Sequence, residues 1–264
     1  MQGPESALQR DLDLLCDTLH AAGQVALAHW RKAPKAWEKP DDAGPVTEAD
    51  LAVNALLETR LREARPDHGW LSEESVDAPG RLTHERCFIV DPIDGTRAFM
   101  AGNDTFAIVA GIAERGRMRA GAVHLPALGR TYAAHALGPA TLQGRVLQAS
   151  PRIELTGATL LATSAGMQPH LWPGGVPQVK RAFRPALAYR LCLVAEGRHD
   201  GMFSFRQTWD WDIAAASLIA ERAGARVSTI TGEALRFDKH DPRSPGILAA
   251  PAALHAALLA RLSG

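Results

Sequence analysis

Apolar residues at the start of the chain recur every three or four positions, as on one face of a helix. The pattern predicts a helix over residues 7–28 and a second helix that begins at Thr47 and ends before Pro66. Thr47 is a good N-cap, and Asp50 three positions later makes a pattern that resembles a capping box. The segment 33–44 between these helices is rich in prolines and aspartates, which favours a loop.

The middle of the chain changes to the short apolar runs and the alternation typical of strands. Two short runs predict strands at residues 70–71 and 87–90. A longer series at 105–113, 118–125 and 130–134 is separated by turn sequences, so it predicts an antiparallel meander. We expect the meander to be scaffold.

Residues 138–151 are loop-rich and predict a seam between two halves, 1–150 and 151–264. Helices and short strands both occur in the second half. The helices are predicted at 187–196, 213–223 and 252–262, and the strands at 159–163, 202–205, 225–229 and 246–250. Asp212 is the predicted N-cap of the helix at 213, since aspartate is favoured at that position.

Carboxylates stand where predicted elements end or begin. Asp91 and Asp94 follow the strand at 87–90, and Gly95 then leads to a helix start. Two acids at a strand end, followed by free backbone N–H groups, can hold a divalent cation and a phosphate side by side. Glu73 follows the strand at 70–71, and Asp212 precedes a helix.

These four acids suit two or three Mg²⁺ ions that share ligands, because they are too many for one ion and would repel one another without metal. Each acid taken singly has a simpler explanation. Asp50 and Asp212 suit helix capping, and Glu73 with its neighbour Glu74 suits a solvated loop. Lys39, in the predicted loop, could equally be a solvated lysine. The four acids together are therefore better evidence for a metal site than any one of them alone.

Composition limits the classes of function. The chain has 264 residues and a net charge of zero, which argues against a protein dedicated to binding a nucleic-acid polymer. Cys16, Cys87 and Cys192 are few and far apart, so a reducing compartment such as the cytoplasm is expected. No secretory signal is visible, and no apolar run approaches the roughly 20 residues that cross a bilayer.

Four motifs together carry a family resemblance. Residues 91–96, Asp-Pro-Ile-Asp-Gly-Thr, resemble the signature of the inositol monophosphatase superfamily, and residues 211–216, Trp-Asp-Ile-Ala-Ala-Ala, resemble its second signature. Residues 70–75 and 45–50 are similar to its two remaining motifs, in the same order and at compatible spacing. The resemblance implies a layered α/β (α+β) fold, an αβαβα sandwich, and Mg²⁺-dependent hydrolysis of a phosphomonoester. Family members are commonly dimers and are inhibited by Li⁺.

The resemblance also implies a role for individual residues. Acids and one carbonyl would bind two or three metal ions: Glu73, Asp91, Asp94, Asp212 and the backbone oxygen of Ile93. Asp50 and Thr96 would orient or deprotonate the attacking water, with Glu73 supporting a further, water-rich metal. The N–H groups of Gly95 and Thr96 would hold phosphate oxygens, and Lys39 stands where members often carry an active-site lysine. Phosphoryl transfer needs this charge neutralisation and an in-line nucleophile.

The substrate stays open, because the family includes phosphatases for inositol monophosphate, adenosine 3′,5′-bisphosphate, histidinol phosphate and fructose bisphosphate. Inositol-specific members tend to have a glutamate where this chain has Phe205. Arg190 could meet a second phosphate or a carboxylate, or be a surface helix arginine. Arg97 hints at the bisphosphate-nucleotidase or histidinol-phosphatase branches. Trp209 and Trp211 could stack on a base, although core packing is the simpler role for Trp211.

Two other classes of function remain as alternatives. A non-catalytic protein that binds metal and phosphate could use the same fold, but it would not need the water-activating pair Asp50 and Thr96. A glycosidase-like enzyme with a carboxylate pair would need no metal, so its activity would survive EDTA.

Overall fold

The computed structural model describes residues 3–39 and 44–263. The helices of this part are α1 (Pro4–His29), α2 (Glu48–Ala64), α3 (Thr96–Met100), α4 (Leu187–Ala195), α5 (Asp210–Arg222) and α6 (Ala252–Ser263). The strands of the first half are β1 (Ala36–Glu38), β2 (Pro45–Thr47), β3 (Gly69–Ser72), β4 (Arg86–Asp94), β5 (Ala107–Glu114), β6 (Arg117–Leu125), β7 (Arg130–His135), β8 (Thr141–Leu142) and β9 (Arg145–Val146). Those of the second half are β10 (Thr159–Leu161), β11 (Lys180–Ala182), β12 (Gly201–Ser204), β13 (Thr208–Trp209), β14 (Arg226–Ser228), β15 (Arg243–Ser244) and β16 (Ile247–Ala250).

Two large sheets organise the molecule. Seven strands form the first, in the order β3-β4-β5-β6-β7-β8-β9. Only β3 and β4 are parallel there, and the remaining neighbours are antiparallel, as the predicted meander requires. The second sheet has five strands in the order β11-β10-β12-β16-β14.

Helices separate and cover the two sheets. α1 and α2 pack together against β4 to β7 of the larger sheet. α5 packs against β4 to β7 and, with its neighbour α4, contacts strands of the smaller sheet. α6 contacts β16. The order of layers is helix pair, sheet, helix pair, sheet and helix, which confirms the predicted αβαβα sandwich.

The local sequence explains why α1 and α2 form where they do. In α1 the leucines at 8, 12, 15 and 19 are buried, and each such side chain contributes roughly 1.5–3 kcal/mol on burial. At α2 the predicted capping box is present. Thr47 Oγ1 accepts from the N–H groups of Ala49 and Asp50, and an Asp50 carboxylate oxygen accepts from the Thr47 N–H at 2.8 Å.

Two predictions of local structure were wrong in detail. Residues 36–38 of the predicted loop 33–44 form β1, which pairs with β2, while residues 40–43 lie outside the described part. Residues 138–151 are mostly loop, as predicted, and also contain the short strands β8 and β9. Asp212 is the third residue of α5, whose N-cap is Trp209, because β13 runs directly into the helix. The partner of β13 is β15, which lies in a distant part of the chain, and local propensity does not reveal such a pairing.

Buried apolar residues form a large cluster between the sheets and a second one under α1 and α2. The first cluster includes Leu71 and Val123 from residues 1–150 as well as Leu161 and Ile213 from residues 151–264. The predicted division of the chain into these two halves stays a prediction.

Among the described residues, no helix combines the length and the apolar character needed to cross a membrane.

Candidate active site

The end of β4 carries Asp91 and Asp94, the first two predicted metal ligands. β4 pairs regularly with β5 as far as Asp91, and the pairing resumes at Asp94 after an irregularity. Because an irregularity breaks the strict alternation of side chains, acids three positions apart can face the same side. Gly95 then turns the chain into α3 with a φ of 91°, a conformation that glycine adopts without steric cost.

Asp212 in the first turn of α5 completes an acidic cluster with these two residues. One carboxylate oxygen from each of Asp91, Asp94 and Asp212 lies within 4.8 Å of the other two. Asp91 and Asp94 are buried and Asp212 is half-buried. Only oxygen ligands converge at this point, and they are the ligands that Mg²⁺ takes. The donor set therefore fits a divalent cation.

Burial and mutual repulsion perturb the acids of the cluster. Burial, followed by Glu73 and the two other aspartates, raises the pKa of Asp91 well above its ordinary value. Burial raises the pKa of Asp94 to about 6, although backbone N–H groups work against the rise. Burial and then Asp94 raise the pKa of Asp212 to about 8. A cation among these carboxylates would stabilise their charged forms, so protons and metal compete for the site.

Glu73 lies beside this cluster and is held by Lys39. The Lys39 Nζ lies 2.7 Å from Glu73 Oε1 and 2.6 Å from Glu74 Oε1. Burial opposes the charge of Lys39, but the two glutamates raise its pKa overall. Burial raises the pKa of Glu74 to about 7 despite the lysine. The predicted loop lysine is therefore an ion-pair partner of a predicted metal ligand.

Asp50 and Thr96 meet across the interface between α2 and α3. Thr96 Oγ1 lies 3.2 Å from Asp50 Oδ1 and 3.1 Å from the Ile93 carbonyl oxygen, so its single proton can serve only one of them at a time. Asp50 Oδ2 accepts from both the N–H and the hydroxyl of Thr47. Burial raises the pKa of Asp50. The residues predicted to orient water thus form one buried hydrogen-bonded group.

The start of α4 is a part of the site that sequence reasoning missed. Asp94 Oδ1 accepts a hydrogen bond from the Leu187 N–H at 3.0 Å, and Asp94 Oδ2 accepts one from the Ala188 N–H at 2.7 Å. These N–H groups have no partner within their own helix, so the carboxylate satisfies them. No local pattern around Leu187 could have indicated this contact, since its partner is distant in sequence.

A polar group behind Glu73 was also missed, although serines on both sides of the Glu73-Glu74 pair are a signal for it. Ser72 Oγ donates to Asn54 Oδ1 at 2.7 Å. Asn54 Nδ2 and Trp70 Nε1 both donate to Ser75 Oγ, at 3.1 and 3.0 Å. These bonds tie the loop after β3 to α2 and so fix the backbone that carries Glu73.

The two residues predicted to choose the substrate have other contacts. The Arg190 side chain is buried, donates to the carbonyls of Arg184 and Pro185, and lies over the Phe183 ring. The Phe205 ring packs against Trp172 and Phe203 at centroid distances of 5.5 and 5.6 Å. A surface position for Arg190 is thereby excluded, and a substrate contact of either residue stays a prediction.

The fold and the site, taken together with the family match and the named relatives, define a class of protein: a hydrolase of phosphoric monoesters with a layered αβαβα fold. A sequence profile of the Inositol monophosphatase family matches residues 8–264, so the chain belongs to this family, as the four motifs indicated. The family is metal-dependent, in keeping with the acidic cluster.

Individual relatives cover almost the whole chain. The protein is 29% identical over 247 residues to a fructose-1,6-bisphosphatase/inositol-1-monophosphatase of Thermotoga maritima. The matched region covers 90% of this chain and 92% of that relative. It is 31% identical over 235 residues to the 3′(2′),5′-bisphosphate nucleotidase CysQ of Salmonella typhimurium, with 86% and 93% covered. The crystal structure of the extragenic suppressor protein suhB from Bartonella henselae matches with a TM-score of 0.82 at 24% identity, over 96% of this chain and 98% of that one, and it supports the fold.

Proposed function

We propose that the protein is a Mg²⁺-dependent phosphatase that hydrolyses a small phosphorylated metabolite by direct attack of water. One observation carries this proposal: the carboxylates of Asp91, Asp94 and Asp212 lie within 4.8 Å of one another. The hydrogen-bonded pair of Asp50 and Thr96 supports it further. A site that only bound phosphate would not need this pair.

Each part of the chain has a proposed task. Glu73, Asp91, Asp94, Asp212 and the Ile93 carbonyl would hold two or three Mg²⁺ ions. When bound, these ions would neutralise charge on the phosphate and promote ionisation of the attacking water. Asp50 and Thr96 would hold that water in line with the phosphorus–oxygen bond. The N–H groups of Gly95 and Thr96 would bind phosphate oxygens at the start of α3.

The substrate is proposed at the level of class. Inositol monophosphate-type compounds and adenosine 3′,5′-bisphosphate are the first candidates, and histidinol phosphate and fructose 1,6-bisphosphate are the alternatives. Lys39 and Arg190 are proposed as residues that influence substrate binding, Lys39 through its contact with Glu73. Phe205 is proposed to influence the choice of substrate because it replaces the glutamate that inositol-specific members tend to carry at this position.

We also propose that the enzyme works in the cytoplasm as a homodimer. Cys16, Cys87 and Cys192 are free, which suits a reducing compartment. The support for the dimer is the resemblance to a family in which dimers are common. Light scattering after size-exclusion chromatography tests it, and a mass equal to that of one chain would contradict it.

A panel of phosphate-release assays tests the catalytic proposal. The four candidate substrates are compared in the protein treated with EDTA and in the same protein after addition of Mg²⁺. We expect release from at least one substrate only with Mg²⁺, and inhibition by Li⁺. Full activity in EDTA would instead favour a metal-free carboxylate mechanism, and no release from any substrate would favour a non-catalytic binding protein.

A further inference from the structure

The ammonium of Lys39 is shared by two adjacent carboxylates, of which only one belongs to the proposed ligand set. Its Nζ lies 2.7 Å from Glu73 Oε1 and 2.6 Å from Glu74 Oε1. The side chain of Glu74 is 6% exposed and that of Glu73 is 22% exposed. The acid that has no place among the proposed metal ligands is therefore the more deeply buried partner of the lysine.

The buried charge of Glu74 depends on this lysine. Lys39 is the cation that pairs with Glu74 in the described part of the chain. The charges of Glu73 and Asp50 also act on Glu74, and both are negative. Removing one partner of a buried ion pair is costly, because it leaves an uncompensated charge. Glu74 should therefore retain the ammonium even when Glu73 is engaged elsewhere.

The glutamate side of this contact is fixed, whereas the lysine side is free to adjust. The Glu74 N–H donates to Ser72 Oγ at 3.3 Å, and Ser72 Oγ donates to Asn54 Oδ1 at 2.7 Å. The three residues of β1, directly before Lys39, are all exposed, and β1 pairs with β2 in a sheet of two strands. The lysine side chain is also a flexible stem of four carbons. A change of partner would therefore move the ammonium and leave Glu74 in place.

The ammonium and a divalent cation compete for Glu73. The Lys39 Nζ already contacts Glu73 Oε1, and two positive charges that share one carboxylate repel each other. A cation on Glu73 would thus displace the ammonium from this acid. Since Glu74 Oε1 already lies 2.6 Å from the same Nζ, the displaced ammonium keeps a partner without forming a new contact.

We propose that Glu74 is a positioning residue, which takes over Lys39 when a divalent cation binds Glu73 and so prevents the lysine from blocking the metal site. The inference rests on one part of the proposed function, the role of Glu73 as a metal ligand, and gives the adjacent acid a task. In the metal-free protein the lysine neutralises both glutamates. With the cation bound, each of the two positive charges has a carboxylate of its own.

Binding of Mg²⁺ to the EDTA-treated and dialysed protein, measured by titration calorimetry without substrate, tests the assignment. A double-mutant cycle compares the wild type, Glu74→Gln, Lys39→Met and the variant with both changes. Glu74→Gln should raise the Mg²⁺ concentration for half-saturation about fivefold when Lys39 is present, because the lysine then competes fully for Glu73. In the Lys39→Met background the same change should raise it less than about twofold, which is the direct effect of one charge.

The control and the conditions isolate the lysine. Glu38→Gln removes an equal charge from the exposed strand β1 beside Lys39 and should leave Mg²⁺ binding unchanged. The titrations are made at about pH 8, because the pKa of Glu74 is about 7 and the acid must be ionised. Thermal unfolding in EDTA shows that each variant is folded.

Two results would overturn the proposal. An equal rise in both backgrounds would mean that Glu74 acts on the cation through its charge and not through Lys39. Unchanged Mg²⁺ binding in Glu74→Gln would mean that the lysine does not need this acid. The proposed function fails separately: if the cycle shows the expected coupling but no substrate of the phosphate-release panel is hydrolysed, the task of Glu74 stands without the reaction.

Discussion

The Asp94 carboxylate accepts a hydrogen bond from the N–H of Leu187, a residue 93 positions later in the chain. The acid belongs to the end of β4, and the donor belongs to the start of α4. A second bond from Ala188 uses the other carboxylate oxygen. Both oxygens are therefore oriented by a helix N-terminus, and one side of the acidic cluster depends on contact between distant segments.

Asp94→Asn should lower Mg²⁺-dependent phosphate release by at least about 100-fold, because it removes a charge that holds metal. The amide oxygen can still accept a hydrogen bond from one helix N–H, so the free energy of unfolding should fall by only about 1–2 kcal/mol. Release assays and denaturant titration measure the two effects. Asp104→Asn, at an exposed position, is the control. Near-normal turnover of Asp94→Asn would contradict the proposed mechanism.

Thr96→Val keeps the shape of the side chain but removes the hydroxyl that contacts Asp50. If this hydroxyl orients the attacking water, kcat should fall by about 100-fold, a typical effect of losing a proton-transfer partner. KM should change little, since backbone N–H groups of the same turn are proposed to bind the phosphate. Thr96→Ser should retain most of the activity. Near-normal kcat in Thr96→Val together with a large loss in Thr96→Ser would point to packing of the methyl group instead.

Lys39→Met removes the ammonium that lies 2.7 Å from Glu73 Oε1. The free glutamate should then bind cations better, so the Mg²⁺ concentration for half-maximal activity should fall by about threefold to tenfold, as for a partly exposed ion pair. A Mg²⁺ titration of phosphate release measures it. Lys35→Met removes an exposed lysine from the same segment and should change nothing. A higher Mg²⁺ requirement in Lys39→Met would mean that the lysine assists the cation site.

The metal-free protein should lose stability as the pH rises. The pKa of Asp94 is raised to about 6 and that of Asp212 to about 8, from 3.8. Below about pH 4 both groups are protonated in the folded and unfolded states, so neither opposes folding. Between about pH 4 and pH 8 the unfolded chain releases these protons first, and the folded state is penalised.

Thermal unfolding in EDTA measures this effect. The Tm of the wild type should fall from about pH 5 to about pH 8, and Asp212→Asn should flatten that slope whereas Asp104→Asn should not. Added Mg²⁺ should raise the Tm more at the higher pH, where the ligands are free of protons. A steeper fall in Asp212→Asn would show that burial does not raise the pKa of this acid.

Arg81→Met should destabilise the fold by about 3 kcal/mol, because it leaves the partly buried Asp238 without its partner. Arg62→Met removes an exposed helix pair with Glu58 and should cost no more than about 0.5 kcal/mol. Denaturant titration compares the two arginines. Similar values for both would mean that the ion pair of Arg81 with Asp238 contributes no more than a surface ion pair.

The sequence by itself determined the class of fold and the proposed ligand set. The spacing of leucines predicted α1 and α2, and Thr47 with Asp50 predicted the capping box. Short apolar runs ended at Glu73 and Asp91, and four motifs in order indicated the family. These features are readable because each depends on neighbours within one or two turns of a helix or on the alternation of a single strand.

Only the tertiary structure decided how these parts meet. It brought Asp212 to Asp91 and Asp94, paired Lys39 with Glu73, and placed the start of α4 on Asp94. It also packs the Phe205 ring against Phe203 and stacks the Trp209 ring on that of Trp211, the neighbour of Asp212. The reason is that contacts between residues tens of positions apart depend on how sheets and helices pack, and no local pattern in the chain encodes that packing.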